Sequence, residues 1–286
     1  MARIAIVGGG NIGEALLAGL LRAGRQVKDL AVAEKAPERA EYLAKKYSVR
    51  VTDVGGAVEN ASFVILAVKP GDVESLVAEI AEAATQAEGN AVEQVLVCVI
   101  AGVGTAFYES RLPAGFPVIR VMPNAPALVG AGVSALAAGR FATDEQMGQA
   151  AELFQSVGGV LRVPESQLDA VTAVSGSGPA YFFLFAEALV DAGVAAGLSR
   201  AVATELVSQT MAGSAAMLLE RLDAQQGGAA GRPDTSAAEL RAIVTSPGGT
   251  TAAGLRELEA AGLREAVAAA VNAAKTRSEQ LGITSE

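Results

Sequence analysis

Short apolar runs alternate with amphipathic stretches from the start of the chain to about residue 162. Residues 3–7, 30–33, 50–51, 63–68, 95–100, 118–121 and 132–136, with a last run near 160–163, are brief and rich in Val and Ile, and they read as strands. Most lie between helical patterns such as 36–46 and 73–84. Strand–helix alternation predicts a mostly parallel sheet covered on both faces. Beyond Pro164 the strand signals vanish, and long Ala- and Leu-rich helical patterns follow at 165–174, 179–196, 200–222, 237–245, 250–260 and 263–280. The pattern predicts an α/β domain over residues 1–164 and an all-α domain over 165–286. The Gly-, Ala- and Gln-rich stretch 223–236 reads as a disordered loop.

The first strand pattern empties into Gly8-Gly9-Gly10-Asn11-Ile12-Gly13, and a helical pattern starts at once. That order suits a dinucleotide. Gly8 permits the tight turn, Gly10 lets the backbone approach a pyrophosphate, Gly13 allows close helix–strand packing, and the N–H groups about Asn11 and Ile12 point at the phosphates. Glu34 ends the second strand, 21 residues after Gly13, where a carboxylate bonds the ribose hydroxyls of NADH and repels the extra phosphate of NADPH. Lys35 and Arg39 stand close by and can attract that phosphate, so the residues lean to NADH and leave NADPH open. In an open parallel sheet, ligands lie beyond the carboxyl ends of the strands. Val68-Lys69-Pro70, Ala101-Gly102 and the loop holding Asn124 have that placement and are expected to border the cofactor.

Composition removes several chemistries. There is no histidine in 286 residues, which excludes a Ser/His or Cys/His nucleophile pair and a histidine acid. No Cys/His metal cluster can be built, and no metal site is expected. A net charge of −9 without a basic tract disfavours nucleic acid. The apolar run Ile4–Val7 is too short for a signal-peptide core. Glu187 and Asp191 interrupt the apolar run nearest to membrane-spanning length, so no membrane segment is expected. Cys98, the single cysteine, sits in a buried-looking run, and the protein is expected in the cytoplasm without disulfides. The helix from Pro179 is apolar nearly all round, through Leu184, Ala188 and Val190, and mean hydropathy is +0.36. Such a helix needs a cover, and a subunit interface is expected.

Two polar loops in the second half each open a helix. In Ser175-Gly176-Ser177-Gly178-Pro179 the serines suit capping, with Ser177 as N-cap, or substrate contact. In Ser246-Pro247-Gly248-Gly249-Thr250-Thr251 the paired glycines bring bare N–H groups to a helix start, a seat for a small carboxylate, with two hydroxyls beside it.

These segments, with Ala67-Val68-Lys69-Pro70, Met122-Pro123-Asn124 and the run from Asp169 to Tyr181, resemble the pyrroline-5-carboxylate reductases and span nearly the whole chain. The resemblance implies a Rossmann domain followed by an all-α dimerisation domain, with dimers assembling into decamers. It implies NAD(P)H-dependent reduction of a cyclic imine to proline. It places the substrate carboxylate on residues 246–251, Thr251 near the ring nitrogen, and Glu165 near the substrate. An iminium is already electrophilic, which accounts for a reductase without histidine. A hydroxyacid dehydrogenase of the 6-phosphogluconate type would need a lysine where Phe182 stands. A non-catalytic dinucleotide sensor leaves residues 246–251 without a purpose.

Overall fold

The computed structural model describes residues 3–86, 93–226 and 236–283. By internal contacts the chain divides into one compact unit of residues 1–179 with 271–286, and a second of residues 180–270.

The first unit is built on one eight-stranded sheet of order β3-β2-β1-β4-β5-β6-β7-β8. Its strands are β1 (Ile4–Val7), β2 (Leu30–Ala33), β3 (Arg50–Thr52), β4 (Phe63–Leu66), β5 (Val95–Cys98), β6 (Val118–Met122), β7 (Gly132–Ala138) and β8 (Gly158–Arg162). The first six run parallel in the doubly-wound order. Strand β7 turns antiparallel to β6, and β8 follows it in parallel. Alternate residues go to opposite faces. Ile4, Ile6, Phe63, Ile65, Val95 and Val97 join one buried cluster, with Leu16, Leu17 and Leu20 of α1 (Asn11–Arg22) and Phe154 of α6 (Asp144–Gln155). Ala5, Val7, Val64, Leu66, Leu96 and Cys98 join a second, with Ile80 of α4 (Val73–Gln86) and Tyr108 of α5 (Thr105–Glu109). Burial on both sides is why the strands read as continuous apolar runs. The remaining helices of this part are α2 (Pro37–Tyr47) and α3 (Val54–Val58).

Past β8 the backbone winds through a 3₁₀ turn (Glu165–Gln167), a short α7 (Leu168–Val171) and a π turn (Thr172–Gly176) into α8 (Gly178–Ala195). One expectation changes here. Ser177 does not cap a helix: its backbone is helical and its N–H bonds the Thr172 carbonyl at 2.8 Å, so the chain continues through the π turn rather than starting afresh. The stretch Glu165–Ala195 is long and apolar enough, by length and composition alone, to cross a membrane, with Glu187 and Asp191 inside its last helix.

The second unit carries α9 (Arg200–Gln226), α10 (Ser236–Ile243), α11 (Thr250–Ala260) and the start of α12 (Leu263–Ile283). Residues 223–226 of the expected loop are helical, Ser236 opens α10, and the rest of it lies outside the described residues. Among the described residues of this unit, Ala203 is the only buried hydrophobic, whereas Phe182, Phe183 and Leu184 are 65%, 69% and 66% exposed.

Candidate functional site

A cleft of about 1040 Å³ opens at the carboxyl ends of β1, β2, β3 and β4. Gly8, Gly10, Ile12, Glu34, Lys35, Val68 and Lys69 line it. Gly8 has φ +103°, and a Cβ there would sit 2.4 Å from the Ala67 carbonyl oxygen, so the turn out of β1 passes hard against the end of β4. A Cβ on Gly13 would sit 1.9 Å from the Gly8 oxygen, so α1 packs on the turn. Gly10 instead faces open space, and as N-cap of α1 it leaves the first-turn N–H groups without a side-chain acceptor. A turn with no room for Cβ atoms, an open glycine and an uncapped helix start together fit a pyrophosphate. Asn11 is exposed at the head of α1.

Glu34 is clamped into this turn. Its Oε2 accepts the Gly9 N–H and its Oε1 the Ala36 N–H, both at 2.8 Å. The carboxylates lining the cleft are Glu34, Glu41, Asp53, Asp72 and Glu79, against the lysines Lys35 and Lys69. Lys35 is paired with Asp72 at 2.6 Å, and this hydrogen bond raises its pKa. Arg39 is turned onto the glycine turn, its Nε donating to the Gly9 carbonyl at 2.6 Å and its guanidinium pairing with Glu14. Partial burial of Glu14 works against its ionisation. The hydrogen bonds from Tyr47, Lys46, Arg39 and Tyr42 outweigh it and hold the carboxyl well below the usual range, at about 2.

Pro70 opens a 3₁₀ turn, Pro70–Asp72, after β4. Ala101 and Gly102 follow β5. Gly102 has φ +81°, and a Cβ there would meet Leu281 and Gly282 at 3.0–3.1 Å, so the end of α12 seals this turn. Asn124 follows β6; its Nδ2 donates to the Ser175 carbonyl and hydroxyl at 3.3 Å, and its Oδ1 accepts the Val133 N–H at 2.9 Å. Asn124 and Ser175 are thus brought together. Burial pushes the Cys98 thiol up to about 12, which leaves it inert.

Glu165 lies in a network that local pattern does not reveal. One oxygen accepts the Thr105 N–H and the other the Thr105 hydroxyl, each at 2.7 Å, so this side chain caps α5 from 60 residues away. Arg120, 7% exposed, pairs with Glu165 at 3.4 Å and reaches Asp169 at 4.0 Å. The Ser278 hydroxyl donates to Asp169 at 2.6 Å. The one signal in the sequence is Arg120 itself, a charge inside the apolar strand Val118–Met122.

In the second unit, residues 246–251 form an exposed turn closed by the Gly249 N–H on the Ser246 carbonyl at 3.0 Å. Gly248 has φ +71°, a left-handed conformation that suits glycine. Gly249 is the N-cap of α11 and makes no side-chain cap. By contrast, α6 carries a full capping box of Thr143 and Gln146. The N–H groups of Thr250 and Thr251 therefore start a helix whose positive end has no side-chain partner among the described residues.

Residues 165–281 match the family model described as pyrroline-5-carboxylate reductase dimerisation, and residues 3–99 match one described as NADP oxidoreductase, coenzyme F420-dependent. The pyrroline-5-carboxylate reductase of Mycobacterium tuberculosis is 68% identical, with 100% of this chain and 99% of that protein covered. That of Corynebacterium melassecola is 42% identical, with 99% of each covered. Among solved structures, the reductase of Coxiella burnetii superposes with a TM-score of 0.87 at 33% identity, covering 98% of both chains. The Plasmodium falciparum pyrroline carboxylate reductase with NADP bound gives 0.81 at 28% identity, again over 98% of both.

Proposed function

Because this chain belongs to the pyrroline-5-carboxylate reductase family, and so reduces 1-pyrroline-5-carboxylate to proline with a nicotinamide cofactor, we propose how its residues divide that work. The observation that carries the reading is the uncapped start of α11, where Gly248 and Gly249 carry no side chain to cover the N–H groups of Thr250 and Thr251. Ser246, Gly248, Gly249, Thr250 and Thr251 seat the substrate carboxylate there, as helix starts seat anions. Thr251 is the catalytic hydroxyl and orients the ring nitrogen. The imine takes its proton from water before it binds, so no protein acid is needed. A bound reduced nicotinamide supplies the hydride to the iminium carbon. The chain's part is to hold and orient the substrate and to exclude water, and orientation of this kind lowers barriers by several kcal/mol.

Gly8, Gly10, Asn11, Ile12 and Gly13 hold the pyrophosphate, and Glu34 the ribose hydroxyls. Val68, Lys69, Pro70, Ala101 and Gly102 border the cofactor, while Asn124 fixes its loop by holding Ser175 and Val133. Ser175, which accepts from Asn124, supports the substrate side. Glu165 has both oxygens engaged by Thr105 and Arg120, so its part is indirect: it orders the turn after β5 and sets the local charge.

We assign residues 1–164 to the dinucleotide domain and 165–286 to the helical domain, through which the chain self-associates. Dimers gather into decamers in the cytoplasm. The acidic lining of the cleft and the clamped Glu34 favour NADH over NADPH. Loss of reduced-cofactor absorbance with pyrroline-5-carboxylate, compared for the two cofactors, tests this. A higher kcat/KM for NADH is expected, and replacing Glu34 by Ser narrows the gap. A higher kcat/KM for NADPH in the unaltered protein overturns it.

A further inference from the structure

Cofactor choice at Glu34 depends on which cations stand near it, and Lys35 and Arg39 follow it most closely along the chain. Their ties differ in kind. The Lys35–Asp72 pair is exposed, with the lysine side chain 79% accessible, and pairs of that sort contribute little. Arg39 is half-buried and held on three sides. Its Nε donates to the Gly9 carbonyl at 2.6 Å, its guanidinium pairs with Glu14, and the Tyr42 ring lies 4.9 Å from its Cζ. Glu14 is in turn fixed from the far side. Its Oε1 accepts Tyr47 at 2.7 Å, Lys46 at 3.0 Å and Tyr42 at 3.1 Å. Arg39 is absent from the cleft lining, although its neighbours Ala40 and Glu41 belong to it.

We propose that Glu14 is a specificity-determining positioning residue: it latches Arg39 onto the glycine turn and withholds that guanidinium from the adenosine ribose, so that a 2′-phosphate finds no arginine there. This rests on the cofactor placement given under Proposed function. Arginine is the side chain best matched to a phosphate, so its sequestration matters more than that of a lysine. The Glu14 carboxylate lies on the α2 side of α1, and Glu14 is not among the residues that line the cleft, which it meets through its backbone N–H on the Gly10 carbonyl at 2.8 Å.

The test is direct binding of NADH and NADPH to the intact protein, read by nucleotide fluorescence, in Glu14→Gln and in the double variant Glu14→Gln/Arg39→Gln. Glu14→Gln is expected to tighten NADPH relative to NADH by about fivefold, the scale of one freed surface charge pair. The double variant returns the ratio to that of the unaltered protein, which a merely structural role for Glu14 does not do. If Glu14→Gln does not fold, Glu14→Asp, one methylene short of Arg39, gives a smaller shift of the same sign. A ratio within twofold of the original in the single variant, or a shift that survives removal of Arg39, overturns the latch. The shift is read against the unaltered protein, so the latch and the NADH preference stand or fall separately. If neither nucleotide binds the unaltered protein, the cofactor placement has failed instead.

Discussion

The sheet-built unit closes its own core, and the helical unit does not. In the first, successive residues of β1, β4 and β5 enter opposite buried clusters, and helices of the same chain cover both faces. In the second, Ala203 is the only buried hydrophobic among the described residues, while Phe182, Phe183 and Leu184 lie open. An apolar helix left bare in one chain is an instruction about assembly. The match of residues 165–281 to a dimerisation family agrees with that instruction. The contrast is one of completeness: the dinucleotide half is a finished object, and the helical half becomes one when copies meet.

A charge placed on the bare helix breaks the contrast most severely. Phe183→Asp is expected to cost about 2–5 kcal/mol of association, roughly a thirtyfold weakening or more. Light scattering after size exclusion reads it as a smaller particle, with far-UV circular dichroism of the sheet unit retained. An unchanged particle size would place the interface elsewhere. Next in size is the opposite perturbation. Ile65→Ala, at a fully buried site in the sheet, is expected to cost about 3 kcal/mol in denaturant unfolding and to leave the particle size intact below the transition.

A third expectation concerns pH. The carboxyl of Glu14 is held at about 2 against an ordinary 4.5. A depressed carboxylate contributes stability that is full above 4.5 and is lost as pH falls through the interval down to about 2. The sheet unit is therefore expected to lose about 2 kcal/mol across that acid range, less than the full conversion of the shift because solvent screens the pairs around Glu14, and Glu14→Gln to flatten the loss. Equal acid titration curves for the two proteins would contradict this.

The fold was legible wherever burial repeats locally. The strand over residues 30–33 is found where the pattern puts it, because a two-sided buried strand is a bare apolar run. The helices Val54–Val58 and Thr105–Glu109 escape notice, being one turn long and, in the first, rich in glycine. Ser177 looks like a cap by residue type, yet the π turn before it carries the helix through. The glycine turn was legible because its spacing is a local geometric demand. The Glu165–Thr105–Arg120 network and the hold of Glu14 on Arg39 were not, since they join positions far apart in the chain and depend on which helices the sheet brings side by side.

The division of labour proposed for the two halves comes to its sharpest point at Thr251. With pyrroline-5-carboxylate as substrate, Thr251→Ala is expected to raise KM for the imine by about tenfold, one lost hydrogen bond at a small ligand, while the Kd for NADH stays within twofold. An unchanged KM, or a loss of NADH affinity as large as the rise in KM, would contradict the assignment of the carboxylate seat and its catalytic hydroxyl to the start of α11.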